Sequence, residues 1–138
     1  MRLEFDIASG DFSQAGKASS RIKKVLKQLQ VDPKIIKRIV IAVYEAEVNV
    51  VAHSVGGLIK AEINGNRIEI TVKDNGPGIE DIDLAMKEGY STASKEVREM
   101  GFGAGMGLPN IKKNTDELKI ESTPGIGTIL KFKIDFNG

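Results

Sequence analysis

The sequence predicts an α+β fold: a two-layer sandwich in which helices cover one face of a mixed, mostly antiparallel sheet. Three observations predict it. Strand-type alternation opens the chain and returns in two closely spaced runs around Asn64-Gly65 and in two more near the end. Long helical periods fill the interval between the first strand and the second. The paired runs are joined by short turns, as antiparallel neighbours are.

Arg2 to Ala8 places Leu3, Phe5 and Ile7 on one face and Arg2, Glu4 and Asp6 on the other, a strand with one wet side. Ser13 to Gln30 repeats Ala15, Ala18, Ile22, Val25, Leu26 and Leu29 at helical spacing. Its opposite face carries Lys17, Arg21, Lys24 and Lys27 with no acid between them. Asp32-Pro33 is a helix start, Asp as N-cap and Pro at the first helical position, and the helix should run to about His53. Gly56-Gly57 stops it. Leu58 to Ile63 and Arg67 to Lys73 then form a hairpin around Asn64-Gly65. Ile79 to Lys87 reads as a short helix, and Glu88 to Gly107 has the weakest periodicity. Leu108 to Asn114 reads as a helix, and Leu118 to Ser122 and Thr128 to Phe136 as the last strands, joined by Thr123-Pro124-Gly125-Ile126-Gly127.

With 138 residues and 41% hydrophobic content, the chain is sized for one compact domain spanning 1–138 that buries a core without staples. A formal net charge of +1 argues against nucleic acid or a membrane surface as a partner. The absence of Cys excludes disulfides and thiolate chemistry, and a single histidine, His53, excludes a His-rich metal site. No run approaches the ~20 apolar residues of a membrane span. Met1 to Ala8 lacks a signal-peptide core, so a cytoplasmic protein is expected.

Three segments carry chemistry. Residues four apart share a helix face, so Glu45, Asn49 and His53 make a polar stripe among Ile39, Val40, Ile41, Val43, Val48, Val50 and Val51. Beside a phosphate, a carboxylate there can accept a proton from an attacking hydroxyl, and an amide one turn on can ligate Mg²⁺. Taken alone, the stripe also fits an ordinary solvent-facing strip, and Glu47 is acidic yet lies off it. The second segment is Asp74-Asn75-Gly76-Pro77-Gly78, after a strand pattern. Asn-Gly favours hairpins, but a helical period follows instead of a strand. The segment therefore reads as a loop bringing backbone close to a ligand, with Asp74 able to accept the amino proton of adenine. The third is Gly101-x-Gly103-x-Gly105-x-Gly107, which offers bare N–H groups before Leu108-Pro109-Asn110-Ile111. It matches neither a P-loop nor a Rossmann fingerprint.

In this order the segments resemble the three boxes of the GHKL (Bergerat-type) ATP-binding superfamily of DNA gyrase, heat-shock chaperones, mismatch-repair proteins and histidine kinases. Glu45-Ala46-x-x-Asn49-x-x-x-His53 is similar to the N box, Asp74-x-Gly76-x-Gly78 to the G1 box, and the glycine run to the G2 box. Asp74 to Ile79, Gly89-Tyr90-Ser91-Thr92-Ala93 and Leu108-Pro109 further resemble the bacterial anti-sigma-factor and switch-protein serine kinases, over essentially the whole chain and without an attached domain.

The resemblance implies an ATP- and Mg²⁺-dependent protein serine/threonine kinase acting on a small regulatory partner, an anti-sigma antagonist or scaffold-type protein. Glu45 would be the base that takes the hydroxyl proton. Asn49 would hold Mg²⁺, and Asp74 would contact the adenine amino group with help from Gly76 and Gly78. Gly103, Gly105 and Gly107 would wrap the phosphates, and Thr128 would lie near the adenine. Glu88 to Met100 would form the ATP lid, which continues to about residue 107, and Lys95 and Arg98 would reach the γ-phosphate. Lys95 to Met100 is more charged than the switch-kinase pattern. The alternative is a non-catalytic, ATP-dependent module that sequesters a sigma factor or other regulator. Glu45 favours the kinase, since sequestration needs no base. The basic helix face would dock an acidic partner in either case, or be merely solvated. A histidine-kinase role would need a separate protein bearing the phospho-accepting histidine. The resemblance allows a monomer or a homodimer.

Overall fold

A computed structural model describes residues 1–7, 15–53, 56–75, 107–123 and 125–137. Its elements are β1 (Arg2–Ile7), α1 (Lys17–Gln28), α2 (Pro33–His53), β2 (Gly57–Ile63), β3 (Arg67–Asp74), α3 (Gly107–Lys113), β4 (Glu117–Thr123) and β5 (Gly127–Asp135). The expected helix at 79–87 lies outside the described residues, as do Gly76, Gly78, Lys95, Arg98, Gly103 and Gly105.

The strands form one sheet in the order β1-β2-β3-β5-β4, and the four pairings are all antiparallel. β2 and β3 form the expected hairpin, closed by Asn64, whose Oδ1 accepts the N–H groups of Asn66 and Arg67 at 2.8 and 2.9 Å. β5 lies between β3 and β4, so the last strand of the chain becomes the neighbour of β3.

Alternation decides which face is dry. Ile59, Ala61 and Ile63 of β2, Ile68, Ile70 and Val72 of β3, and Leu130, Phe132 and Ile134 of β5 are buried. They share one core with Ile22, Val25 and Leu26 of α1, Ile36, Ile39, Val43 and Val50 of α2, and Ile111 of α3. Each fully buried Ile contributes about 2 kcal/mol of burial free energy. The helices therefore cover a single face, as the alternation predicts.

α2 begins where the sequence places it: Asp32 Oδ1 accepts the Lys34 N–H at 2.8 Å. α1 starts later than its apolar period, at Lys17, and ends at Gln28. Its N-cap, Gly16, has φ +101° and no side chain to cap the helix. The acceptor comes from α2: Glu47 is 2% exposed and takes the N–H groups of Gly16 and Ala18 on Oε2, both at 3.1 Å, and of Ser19 on Oε1 at 2.9 Å. A buried carboxylate is tolerable because it is met by three donors at a helix N-terminus, where the dipole favours negative charge.

A second tie joins the start of α2 to the far side of the sheet. Asp116 accepts the Asp135 N–H on Oδ2 at 2.7 Å and the Arg38 guanidinium on Oδ1 at 3.0 Å. These donors, the Asp135 amide foremost, hold its carboxyl below the ordinary value of 3.8, against the opposing effect of partial burial. Among the described residues no helix is long and apolar enough to cross a membrane.

Candidate nucleotide and catalytic site

Two clusters of the sequence-selected residues are present, one on α2 and one at the end of β3. Glu45 and Asn49 lie one turn apart and are half-buried, while Ala46, Glu47, Val48 and Val50 around them are buried. The stripe is thus a polar slot in an otherwise packed helix. His53 ends the helix, and its side chain lies outside the described residues.

The two carboxylates on this stretch of helix have different uses. Both oxygens of Glu47 are taken by backbone N–H groups of α1. Glu45 accepts one hydrogen bond on Oε1, from Asn110 Nδ2 at 3.4 Å, and its Oε2 has no hydrogen bond among the described residues. Glu47 is therefore structural. Its offset of two residues turns it toward α1 rather than into the slot.

Asp74 is the last residue of β3 and is half-buried. Its register partners are Gly57 on β2 and Thr128 on β5. Thr128, the residue expected near adenine, is 6% exposed. Its Oγ1 lies 2.9 Å from Ser122 Oγ of β4, and the Ser122 hydroxyl also donates to the Gly127 carbonyl at 3.3 Å. The row Gly57–Asp74–Thr128–Ser122 thus crosses four strands.

Glycine flanks Asp74 on both sides. A Cβ on Gly57 would come within 3.2 Å of Asp74 Cα and 3.0 Å of Val50 Cγ1, and one on Gly127 would overlap the Asp74 carbonyl oxygen. Val50 follows Asn49, so the same contact sets the Asn49 turn of α2 over the Asp74 end of the sheet. Gly107, the last residue of the glycine run, is the first residue of α3, which packs on α2 and β4 through buried Leu108 and Ile111.

Sequence reasoning missed Asn110, Ser122 and the capping role of Glu47. Asn110 and Ser122 lie in segments it had singled out or assigned to a strand, but only pairing across the fold gives them contacts. The basic face of α1 is as expected: Lys17, Arg21, Lys24 and Lys27 are exposed and make no ion pair among the described residues.

Residues 34–138 match the family model described as histidine kinase-, DNA gyrase B- and HSP90-like ATPase. This chain belongs to that ATPase family. An anti-sigma F factor of Thermoanaerobacter sp. (strain X514) is 44% identical over 109 residues, which cover 74% of this chain and 73% of that one. The serine/threonine-protein kinase RsbT of Bacillus subtilis (strain 168) is 35% identical over 95 residues, 66% of this chain and 65% of that one. Among solved structures, the RsbU and RsbW domains of a Mycobacterium tuberculosis protein superpose with a TM-score of 0.65 at 18% identity. That match takes in 97% of this chain but spans only 31% of the solved one, and it bears on the fold alone. The ATPase family brings with it the α+β sandwich and the use of ATP, as the three-box order predicts.

Proposed function

We propose that this ATPase-family domain is a protein serine/threonine kinase of the anti-sigma regulatory type, which transfers the γ-phosphoryl group of ATP to a hydroxyl of a small regulatory partner protein. The observation that carries this reading is the pairing of Glu45 with Asn49 in the slot of α2, with Glu45 Oε2 open among the described residues while both oxygens of Glu47 are engaged.

The residues present fit the nucleotide. At the end of β3 a carboxylate and a hydroxyl, Asp74 and Thr128, stand side by side between strand positions stripped of side chains by Gly57 and Gly127. A carboxylate there accepts from the adenine amino group. Asn49 supplies the amide oxygen that a hard cation accepts, so it would hold Mg²⁺, whose role is to neutralise phosphate charge. We assign Gly76 and Gly78 to the adenine loop, Gly103, Gly105 and Gly107 to the phosphates, and Lys95 and Arg98 to the γ-phosphate. All but Gly107 lie outside the described residues, and these roles follow from the family pattern. The whole chain, 1–138, would act as one domain, with the lid at about 88–107.

In the transfer, the partner's hydroxyl oxygen forms a bond to the γ-phosphorus as the bond to the β–γ bridging oxygen breaks, and ADP leaves. Glu45 Oε2 takes the hydroxyl proton. A general base of this kind contributes roughly 10²- to 10⁴-fold. The partner is an antagonist or a sigma-type regulator, and the exposed cations of α1 suit an acidic docking surface on it.

The test is phosphate transfer from γ-labelled Mg-ATP in lysate of the source organism, wild type against Glu45→Ala. A labelled protein band that requires Glu45 is the expected result. ATP binding with no such band would instead favour an ATP-dependent module that sequesters its partner without modifying it.

A further inference from the structure

The contact between α2 and α3 carries an assignment the sequence does not make. We propose that Asn110 is a positioning residue for Glu45: its side-chain amide fixes one carboxylate oxygen so that the other faces the incoming hydroxyl. This rests on the reading of Glu45 as the base.

Asn110 Nδ2 stands 3.4 Å from Glu45 Oε1, joining residues 65 apart in the chain. An ionised carboxylate only accepts hydrogen bonds, so the amide nitrogen and not its oxygen must face it. The distance is long for a finished hydrogen bond, but catalytic hydrogen bonds are commonly loose before substrate binds and tighten in the complex. The donor itself is well held. Leu108 and Pro109 before it and Ile111 after it are buried, which anchors the first turn of α3. The Asn110 carbonyl accepts from the Asn114 side chain at 2.8 Å and from the Asn114 N–H at 3.2 Å.

General-base catalysis gains from such a partner. A Glu side chain has three rotatable bonds, and a carboxylate free to turn spends little time with an oxygen aimed at one hydroxyl. Glu47, two residues along, is immobilised by three donors. Among the described residues Asn110 is the one donor that does this for Glu45. An amide suits this role because it is neutral and short. It occupies one oxygen and leaves the second open for the proton. Small misplacements of a reacting group cost up to roughly 100-fold in rate.

The experiment compares wild type, Asn110→Ala and Asn110→Asp by the initial rate of labelling, from γ-labelled Mg-ATP in lysate, of the protein band that requires Glu45. ATP is varied to separate kcat from KM, and ADP affinity is measured by calorimetry. Both variants should fold, since Ala favours helix and Asp is isosteric with Asn. Positioning predicts a kcat reduced roughly 10-fold for Asn110→Ala, with KM for ATP and ADP affinity unchanged. It predicts a larger loss for Asn110→Asp, which keeps the shape but replaces the donor by a like charge facing Glu45. A packing role predicts instead that Asn110→Ala lowers the thermal midpoint while its kcat stays at the wild-type value, and that result overturns the assignment. A rise in KM or a loss of ADP affinity at unchanged kcat also overturns it. If Glu45→Ala labels as well as wild type, the base reading fails first and this inference with it. If Glu45→Ala is inactive and Asn110→Asp is not, only the inference fails.

Discussion

Gly127 meets the main-chain carbonyl of Asp74 so closely that a Cβ atom at Gly127 would overlap the carbonyl oxygen. The contact lies at the β3–β5 pairing, beside the register match of Asp74 with Thr128. The carboxylate assigned to adenine therefore owes its position to the absence of a side chain more than fifty residues away.

Gly127→Ala should force β5 away from the end of β3. Overpacking of this kind costs about 2 kcal/mol, visible as a lower denaturation midpoint. Affinity for adenine nucleotide should fall with it, because Asp74 and Thr128 separate. Calorimetry with ADP giving wild-type affinity would show that this strand end does not shape the pocket.

Asp74→Asn leaves the backbone contacts in place and replaces an acceptor-only group by an amide. On the proposed reading the hydrogen bond from the adenine amino group loses its charge assistance and meets a competing N–H donor, so ADP should bind roughly 10- to 100-fold more weakly. The thermal midpoint without nucleotide should change little. Unchanged calorimetric affinity would remove Asp74 from the site.

Glu47→Ala should damage α1 and α2 while leaving the chemistry untouched. It strips three buried or partly buried N–H groups of their acceptor. The expected loss is about 3 kcal/mol in urea unfolding, and Glu47→Gln, which keeps one acceptor oxygen, should lose less. A loss within error for both variants would mean that α1 finds its cap elsewhere.

Asp116 gives the acid side of the stability profile its sign. Its folded carboxyl is held below 3.8, first by the Asp135 N–H and then by Arg38. The stabilisation is thus complete above pH 3.8 and is lost as pH falls through the lower folded value. Denaturation midpoints should decline below about pH 4, and Asp116→Asn should make that decline shallower. Some decline should persist in the variant, because Glu117, held down chiefly by Lys133, titrates in the same direction. A slope identical to wild type would exclude Asp116 as a contributor.

Local signals read well here because they depend on near neighbours. The Asp32-Pro33 start, the Asn64-Gly65 turn and the alternation of β2, β3 and β5 are all found where the sequence places them. The start of α1 departs from the sequence expectation because Ala15 continues the apolar period while Gly16, with φ +101°, breaks the helix. Glu45 and Asn49 are legible as a pair because helical spacing alone puts them on one face. The role of Glu47 is not legible, since nothing in its surroundings along the chain marks it as the cap of another helix.

The sequence by itself determined the kinds of element, the face each strand buries, and the ordered set of boxes that marks an ATPase domain, because hydrophobic period and turn chemistry are local. Only the tertiary structure decided that Glu47 caps α1, that Asp74 lies between Gly57 and Thr128, and that Asn110 faces Glu45. The physical reason is the insertion of β5 between β3 and β4 and the docking of α1 and α3 on α2. Those arrangements satisfy burial and hydrogen bonding across long stretches of chain, and no local period encodes them.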